Sequence, residues 1–122
     1  MIIGIGCDIV SVSRIKQAVE SYGERFLKRI YTAHELARAP KGEQRYNYLA
    51  KRFAAKEALA KAMGTGIGAA IAFADIEVYN HESGAPGLRL LNDLALASDA
   101  VLHLSLADDA GMAQAYVIIE KR

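Results

Sequence analysis

The pattern of apolar positions predicts a strand at the start of the chain and helices after it. Residues 2–10 are apolar and rich in β-branched side chains, which is typical of a strand, and Gly4 and Gly6 indicate that another backbone comes close there. Helical spacing follows over residues 13–21 and 24–38. The second helical segment carries one apolar stripe, formed by Phe26, Leu27, Ile30 and Tyr31.

A long helix and several strands are predicted for the rest of the chain. The helix runs from about residue 44 to residue 63, and Gly64 is its natural stop. Strands are predicted at 72–79, 88–91, 101–106 and 112–119, and a short helix at 92–98. Because helices come early and strands cluster late, we expect an α+β fold in which a small antiparallel sheet packs with the long helix and shorter helices.

Length and composition limit the class of protein. A chain of 122 residues suffices for one compact domain and is too short for two, so we expect residues 1–122 to form a single domain. The single cysteine, Cys7, excludes an internal disulfide. No basic region precedes the first apolar residues, and Asp8 interrupts them, so we expect neither a signal peptide nor a membrane span and place the protein in the cytoplasm.

The charges are unevenly distributed along the chain. Residues 1–70 carry 12 Lys and Arg against 6 Asp and Glu, while residues 71–122 carry 3 against 8. A basic half of this kind either faces an acidic partner or is an ordinary solvated surface, and the charge count leaves both interpretations open. The motifs of nucleic-acid-binding domains are missing, so nucleic acid is not the expected partner.

The long helix places one acid among bases, immediately before a glycine-rich loop. The bases near Glu57 are Arg52, Lys56 and Lys61, and the glycines that follow are Gly64, Gly66 and Gly68. This is not a P-loop, in which the lysine follows the glycines. The first strand is not a dinucleotide fingerprint either, because Ile9 stands where that motif has its third glycine. Alternating glycines can instead turn successive N–H groups toward one anion, with Lys61 adding a full charge.

Asp8 is unusual because it lies in a largely apolar strand, where an unpaired buried carboxylate costs several kcal/mol. Asp8 and Glu57 can meet over a divalent cation, since Mg²⁺ is commonly held by two carboxylates together with phosphate oxygens and water. The alternative is a salt bridge from Asp8 to Lys56 or Arg14. For Glu57 the alternative is an ordinary surface pair with Lys61, four residues further on.

Four segments together resemble a known family. They are GIGCDIV at residues 4–10, RFAAKEALAKAMGTGIG at 52–68, FADIEV at 73–78 and HLSL at 103–106. In this order, and over essentially the whole chain, they resemble the holo-acyl-carrier-protein synthase family, the small bacterial phosphopantetheinyl transferases. The block that contains Lys56, Glu57 and Lys61 is the specific part of the match, whereas the first strand alone would be a weak signal.

The resemblance implies an enzyme of fatty acid biosynthesis. Such an enzyme transfers 4′-phosphopantetheine from coenzyme A to a serine of an acyl carrier protein and releases adenosine 3′,5′-bisphosphate. The metal ligands of the family, which hold Mg²⁺, fall on Asp8 and Glu57, and Lys61 completes the expected catalytic group. The positions expected to contact coenzyme A are Arg52, Lys56, Lys61, Gly64, Thr65, Gly66, Pro86 and His103.

The resemblance also implies partners. Carrier proteins of this type are acidic, so we expect them to dock on the basic residues of the first helical region, Arg14, Arg25, Lys28 and Arg29. The family forms homotrimers with sites between neighbouring subunits. The acceptor of the serine proton stays open between a metal-associated water, which we favour, Glu57 and Glu35.

The sequence departs from the family pattern at two places, and two other functions are compatible with its charges. Ala107 and Asp108 stand where many members have Ser or Thr and a second His, and Ala85 replaces the lysine of a common Gly-Lys-Pro, for which we expect Lys56 or Arg89 to compensate. The main rival function is a non-catalytic basic module that binds an acidic protein. A small nucleic-acid-binding domain is the other rival, and neither predicts a magnesium requirement.

Overall fold

A computed structural model of the protein describes residues 1–68, 70–91 and 99–122. Its elements in chain order are β1 Ile2–Ser11, α1 Val12–Tyr22, α2 Glu24–Ile30, α3 Ala33–Ala37, α4 Gln44–Ala62, β2 Ile76–Asn80, β3 Pro86–Leu90, β4 Ala100–Asp109 and β5 Met112–Lys121. The predicted α+β class is therefore confirmed. No helix within these described ranges is long and apolar enough to cross a membrane.

The strands of the described residues form two antiparallel sheets. The larger sheet has the order β1-β5-β4, and β2 pairs only with β3. The predicted hairpin between β4 and β5 is confirmed, and it closes through Ala110 and Gly111 with φ values of 51° and 77°. Two consecutive residues with positive φ are typical of the tight turn that matches the twist of a hairpin.

The larger sheet has one face on the helix layer and one exposed face. Side chains alternate along a strand, so Leu102, Leu104 and Leu106 of β4 point toward the core, while the residues between them point away. The exposed face, here called the outer face, carries large apolar side chains from β1 and β5. They include Ile5, which is 67% exposed, together with Ile9 and Tyr116.

Helix α4 lies directly on β1, and glycine makes this approach possible. A Cβ placed on Gly6 would overlap the carbonyl oxygen of Ala58 and lie 2.7 Å from the amide nitrogen of Ala62. A Cβ on Gly4 would overlap the carbonyl oxygen of Ala62. The predicted close backbone approach at Gly4 and Gly6 is therefore confirmed. Asp8 lies on the same face of β1, so the contact brings its carboxylate alongside α4.

The alanine-rich sequence of α4 reflects burial on nearly all sides. Its fully buried residues include Leu49 and Leu59 and a series of alanines, Ala50, Ala54, Ala55, Ala58 and Ala60. Small side chains let the helix approach both the sheet and the loop before β2 closely. The core that results also includes Val10, Ile76 and Val117.

The predicted helix over residues 24–38 is wrong in its middle. Helix α2 ends at Ile30, and α3 begins after Thr32. Thr32 and Glu35 form a capping box, in which the Thr32 hydroxyl accepts from the backbone N–H of Glu35 and the Glu35 carboxylate accepts from that of Thr32. This reciprocal pairing satisfies N–H groups that have no partner at the N-terminus of a helix, and so it favours the start of a new helix at Ala33.

Two other predictions have different outcomes. The strand predicted at 72–79 begins only at Ile76, because Phe73–Asp75 form a 3₁₀ turn in which the Asp75 carboxylate accepts from the N–H of Ala72. The helix predicted at 92–98 lies outside the described residues.

The contact between β1 and α4 predicts a specific sensitivity to one methyl group. Gly6→Ala should reduce the free energy of unfolding by about 1–3 kcal/mol, because the added Cβ overlaps backbone atoms that cannot move independently. Gly68→Ala is the matched control, since a Cβ there meets nothing within 4 Å, and it should change stability by less than about 0.5 kcal/mol. Urea unfolding measures both, and equal midpoints for the two variants would contradict the packing described.

Candidate active site

Asp8, Glu57 and Lys61 meet where β1 crosses α4. The Lys61 Nζ donates to Asp8 Oδ1 at 3.0 Å and to the Cys7 carbonyl oxygen at 3.0 Å. The partner of Asp8 is therefore Lys61, and the salt bridges considered from Asp8 to Lys56 or Arg14 are not formed. Lys61 is half exposed and Asp8 is largely covered, so this pair lies at the surface of the crossing.

Glu57 belongs to the same electrostatic group. Partial burial raises the pKa of the Glu57 carboxyl, and the negative charge of Asp8 raises it further. Lys61 and Arg14 act in the opposite direction and lower it. Two carboxylates thus lie close enough to repel one another, with two cations beside them. We call these four residues, Asp8, Arg14, Glu57 and Lys61, the crossing cluster.

The crossing cluster fits a magnesium ion. Its donors are carboxylate oxygens, which Mg²⁺ prefers, and a cation held by Asp8 and Glu57 would offset both the burial of the Glu57 carboxyl and its repulsion by Asp8, which together raise the Glu57 pKa. Among the described residues no group of three or more His, Cys, Asp or Glu converges on one point. Two protein carboxylates match the usual way of holding Mg²⁺, in which water and substrate phosphate supply the remaining ligands.

Lys56 is not available to a ligand, so the prediction that it contacts coenzyme A is wrong. Its side chain is fully buried, and its Nζ donates to Glu35 Oε1 at 2.7 Å and to the carbonyl oxygens of Ile30 at 2.7 Å and Phe73 at 3.2 Å. Burial lowers the pKa of Lys56, while the Glu35 carboxylate opposes that shift. With three acceptors around one ammonium, Lys56 also cannot compensate for the lysine missing at Ala85.

Glu35 is equally unsuited to accept the proton of a substrate. Its carboxylate is fully buried, and besides Lys56 it accepts from the backbone N–H groups of Thr32 at 2.8 Å and Val78 at 2.7 Å. Both of its oxygens are therefore occupied in the interior, away from the crossing cluster. Glu35 therefore cannot be the general base that accepts the serine proton.

Arg52 connects α4 to the hairpin of β2 and β3. Its guanidinium lies 3.8 Å from the ring centroid of Tyr48, and Nη2 donates to Asn80 Oδ1 at 2.8 Å. The Asn80 side chain in turn donates to the carbonyl oxygen of Gly84, in the turn before Pro86. The Arg52 Nε is buried and has no hydrogen-bond partner in the described part of the chain. Contacts of Arg52 and Pro86 with coenzyme A stay predictions, and sequence reasoning missed the link through Asn80.

The glycine-rich loop after α4 does not form the predicted anion nest. The N–H of Gly64 donates to the Lys61 carbonyl oxygen, and those of Thr65 and Gly66 both donate to that of Ala60. Gly64 and Gly66 have φ values of 81° and 67°, which let the chain turn back over the helix end. These N–H groups close the helix, so contacts of Gly64, Thr65 and Gly66 with coenzyme A rest on the family resemblance alone.

His103 is not brought to the crossing cluster within one chain. It lies opposite Ile118, which lies opposite Ile5, so its side chain is on the outer face, whereas Asp8 is on the helix face of the same sheet. The His103 ring is 51% exposed, and its Nε2 lies 3.0 Å from Glu120 Oε1. The alternation of β4 indicates this orientation in the sequence, because His103 falls between Leu102 and Leu104. Sequence reasoning missed Glu120, for which no spacing signal exists.

The basic residues of the first helices are exposed, as docking requires. Arg14 is on α1, and Arg25, Lys28 and Arg29 are on α2. A surface cleft of about 400 Å³ is lined by Arg25 and Arg29 together with Tyr22 and Phe26. Tyr22 is 66% exposed and was not singled out from the sequence. Lys28 lies 3.9 Å from Glu24, a weak exposed pair that leaves its charge in solvent.

Asp108, which departs from the family pattern, and Arg89, which was expected to compensate for the missing lysine, both form ion pairs within the chain. Asp108 pairs with Lys51 of α4 at 2.9 Å. Arg89 pairs with Glu77 at 2.9 Å and stacks on Tyr79 at 4.2 Å from the ring centroid, so its guanidinium is already engaged. Compensation by Arg89 for the lysine missing at Ala85 stays a prediction.

Comparisons with known proteins show the family of this chain. A family model described as the 4′-phosphopantetheinyl transferase superfamily matches residues 4–118. A holo-[acyl-carrier-protein] synthase from Methylobacterium sp. (strain 4-46) is 45% identical over 98% of this chain and 95% of its own length. One from Wolbachia pipientis is 46% identical, with 98% of both chains covered.

Solved structures give the same result for the fold. A holo-(acyl-carrier-protein) synthase from Bacillus anthracis in complex with CoA (3′,5′-ADP) has a TM-score of 0.86 and 39% identity, covering 100% of this chain and 99% of its own. One from Helicobacter pylori in complex with coenzyme A has a TM-score of 0.82 and 31% identity, covering 95% of this chain and 99% of its own. The chain is a transferase that belongs to the 4′-phosphopantetheinyl transferase superfamily, and the resemblance to holo-acyl-carrier-protein synthases is confirmed.

The crossing cluster predicts opposite responses of Glu57 to two substitutions in the metal-free protein. Asp8→Asn should lower the pKa of Glu57, because it removes the negative charge that raises it and releases Lys61 from its ion pair. Lys61→Met should raise the pKa of Glu57, because the opposing positive charge is lost. A ¹³C NMR titration of the Glu57 carboxyl measures both shifts. A Glu57 pKa that Asp8→Asn leaves unchanged would contradict the proximity of the two carboxylates.

Proposed function

We propose that this chain transfers 4′-phosphopantetheine from coenzyme A to a serine of an apo acyl carrier protein, as a step of fatty acid biosynthesis. The serine oxygen bonds to the phosphorus that carries pantetheine, and the bond from that phosphorus to the bridging oxygen breaks. The products are the holo carrier and adenosine 3′,5′-bisphosphate, and the serine proton passes to a general base, for which a water in the site and Glu57 stay the candidates. One observation carries the proposal: Asp8, Glu57 and Lys61 converge where β1 crosses α4, in a chain of this superfamily.

In this proposal Asp8 and Glu57 hold Mg²⁺. The ion, when bound, neutralises the charge that builds up on the diphosphate during transfer. The Lys61 Nζ lies 3.0 Å from Asp8 Oδ1, so its positive charge is beside the carboxylates that would hold the ion and beside any phosphate bound to that ion. Phosphoryl transfer asks mainly for such positioning and charge stabilisation from a protein.

Coenzyme A is placed along α4 and the hairpin of β2 and β3. The diphosphate lies at Lys61 and the loop of Gly64, Thr65 and Gly66, and the adenosine part lies toward Arg52 and Pro86. Support comes from the link between Arg52 and the turn before Pro86 through Asn80, which joins α4 to the hairpin at the adenosine end of the proposed site. The similar proteins from B. anthracis and H. pylori are described in complex with CoA.

The carrier protein docks on the basic residues of α1 and α2. Arg14 lies near Glu57 and is part of the crossing cluster, so the docking surface and the reacting group adjoin. Arg25 and Arg29 flank a cleft with the exposed ring of Tyr22, which offers apolar contact beside positive charge. Such a surface accelerates encounter with an acidic partner and makes it sensitive to salt.

The chain assembles as a homotrimer in which each site lies between two subunits. The outer face supports this assembly, because a sheet face with exposed Ile5, Ile9 and Tyr116 leaves an apolar surface in water. The position of His103 supports it further. His103 lies on that face, away from Asp8 of its own chain, so it reaches a diphosphate only at the crossing cluster of another subunit.

The transfer reaction and the role of Glu57 are tested together. Purified protein, coenzyme A, Mg²⁺ and an apo carrier protein are incubated, and the intact mass of the carrier is measured. We expect the carrier to gain the mass of one phosphopantetheine group, and Glu57→Gln to lose most of this Mg²⁺-dependent transfer while its circular dichroism is unchanged. An unmodified carrier with the wild-type protein would favour the non-catalytic binding module instead. A Glu57→Gln variant that stays active and metal-responsive would refute the assigned role.

A shared site predicts that two inactive variants restore activity to one another. Glu57→Gln and His103→Ala chains should each transfer slowly alone, but subunits mixed at equal amounts should regain about a quarter of wild-type activity, because random assembly leaves that share of interfaces intact. Sedimentation of the mixture checks the oligomeric state, and mixing each variant with wild type is the control. Absence of any recovery in a mixed trimer would contradict a site that Glu57 of one subunit and His103 of another form together.

A further inference from the structure

Two consecutive residues of α4, Lys56 and Glu57, lie in different environments. Glu57 faces the crossing cluster, whereas Lys56 points into the interior and is fully buried. An ammonium without solvent is costly to bury, so one held in this way must be compensated by well-placed oxygen atoms. The oxygen atoms around Lys56 belong to three different segments of the chain, and this distribution shows what its side chain connects.

The first contact of Lys56 is with the end of α2. Ile30 is the last residue of that helix, and its carbonyl oxygen accepts from Lys56 Nζ at 2.7 Å. Carbonyl groups in the last turn of a helix have no partner within the helix, so this contact fixes the end of α2 on α4. Tyr31 strengthens the same junction, since its hydroxyl donates to the Leu49 carbonyl oxygen at 2.7 Å.

The remaining contacts fix the frame around that junction. Lys56 Nζ donates to Glu35 Oε1 at 2.7 Å and to the Phe73 carbonyl oxygen at 3.2 Å. The Glu35 carboxylate also accepts from the backbone of Val78 in β2. One buried ion pair therefore ties α4 to the start of α3, to the turn before β2 and to β2 itself.

We propose that Lys56 is a positioning residue that fixes the carrier-docking helix α2 relative to Glu57. The inference rests on the proposed function, because α2 matters for the reaction only if the carrier docks on Arg25 and Arg29. The carrier serine must reach the crossing cluster in the productive geometry, for which a reacting group has to be held to within about 0.5 Å. The side chain of Lys56 fixes the distance between α2 and Glu57, because it donates a hydrogen bond to the last residue of α2 and because Lys56 is next to Glu57 in the sequence. Lys56 touches no substrate and acts only through this connection.

The test separates positioning from docking and from stability. Lys56→Met/Glu35→Gln removes the buried pair without leaving an unpaired charge, and Lys56→Arg keeps the charge but changes the donor geometry. We expect either variant, once folded, to show kcat at least tenfold lower, with KM for the carrier and for coenzyme A within about twofold of wild type. A displacement of about 1 Å at a reacting group can cost about a hundredfold in rate.

Two further variants make the result specific. Lys51→Met/Asp108→Asn removes another ion pair of α4, which joins it to β4 and not to α2, and should leave kcat unchanged. Arg25→Glu alters the docking surface itself and should raise KM for the carrier with little change in kcat. Circular dichroism and thermal midpoints establish that each variant is folded.

The outcomes distinguish this inference from the proposed function. If the wild-type protein does not modify the carrier, the proposed function fails and the inference fails with it. If the wild type is active and the folded Lys56 variants keep its kcat, or lose no more than the Lys51→Met/Asp108→Asn control, the inference alone is overturned. Failure of both Lys56 variants to fold would make Lys56 a residue of stability only and would overturn it as well.

Discussion

The contact between two glycines of β1 and the backbone of α4 is the constraint on which the site depends. Gly4 and Gly6 bring the strand so close to Ala58 and Ala62 that no Cβ fits between them. Asp8 follows on the same face of the strand, and Glu57 and Lys61 are on the neighbouring turns of the helix. Bulkier residues at the crossing would push the strand away from the helix, and the two carboxylates would then be too far apart to share a cation.

The same helix separates charges of two kinds. Lys56 and Glu35 are paired in the interior and tie secondary-structure elements together, whereas Glu57 and Lys61 lie where solvent and ligands can enter. A buried ion pair is weak support for stability, because the cost of removing two charges from water offsets most of their attraction. Its clearer effect is geometric, since it fixes which segments meet at α4. The alanines of α4 leave space for the side chains of Lys56, Glu57 and Lys61.

Much of the fold could be predicted from the sequence, because its signals are local. The apolar run of β1, the long helix α4 and the hairpin of β4 and β5 each follow from periodicity and turn residues. The break between α2 and α3 was missed because the stripe that ends at Tyr31 fits a continuous helix, and only the capping pair of Thr32 and Glu35 interrupts it.

The site was predictable to a lesser extent, because its partners are distant in the sequence. Glu57 stood out as a lone acid among bases, but spacing could not reveal that Lys56 is paired with Glu35, 21 positions earlier. Nor could it reveal that Lys61 is bonded to Asp8, 53 positions earlier. The glycine loop suggested an anion nest because of its composition alone, whereas its N–H groups close the helix end.

The central claim is that Asp8 and Glu57 bind one divalent cation together. Titration of the protein with Mn²⁺, a paramagnetic substitute for Mg²⁺, while the side-chain carboxyl ¹³C signals are recorded, tests this claim most directly. The account predicts that the signals of Asp8 and Glu57 broaden first and in parallel, and that excess Mg²⁺ restores both. Broadening of only one of them, or of other carboxyl groups before these two, would contradict it.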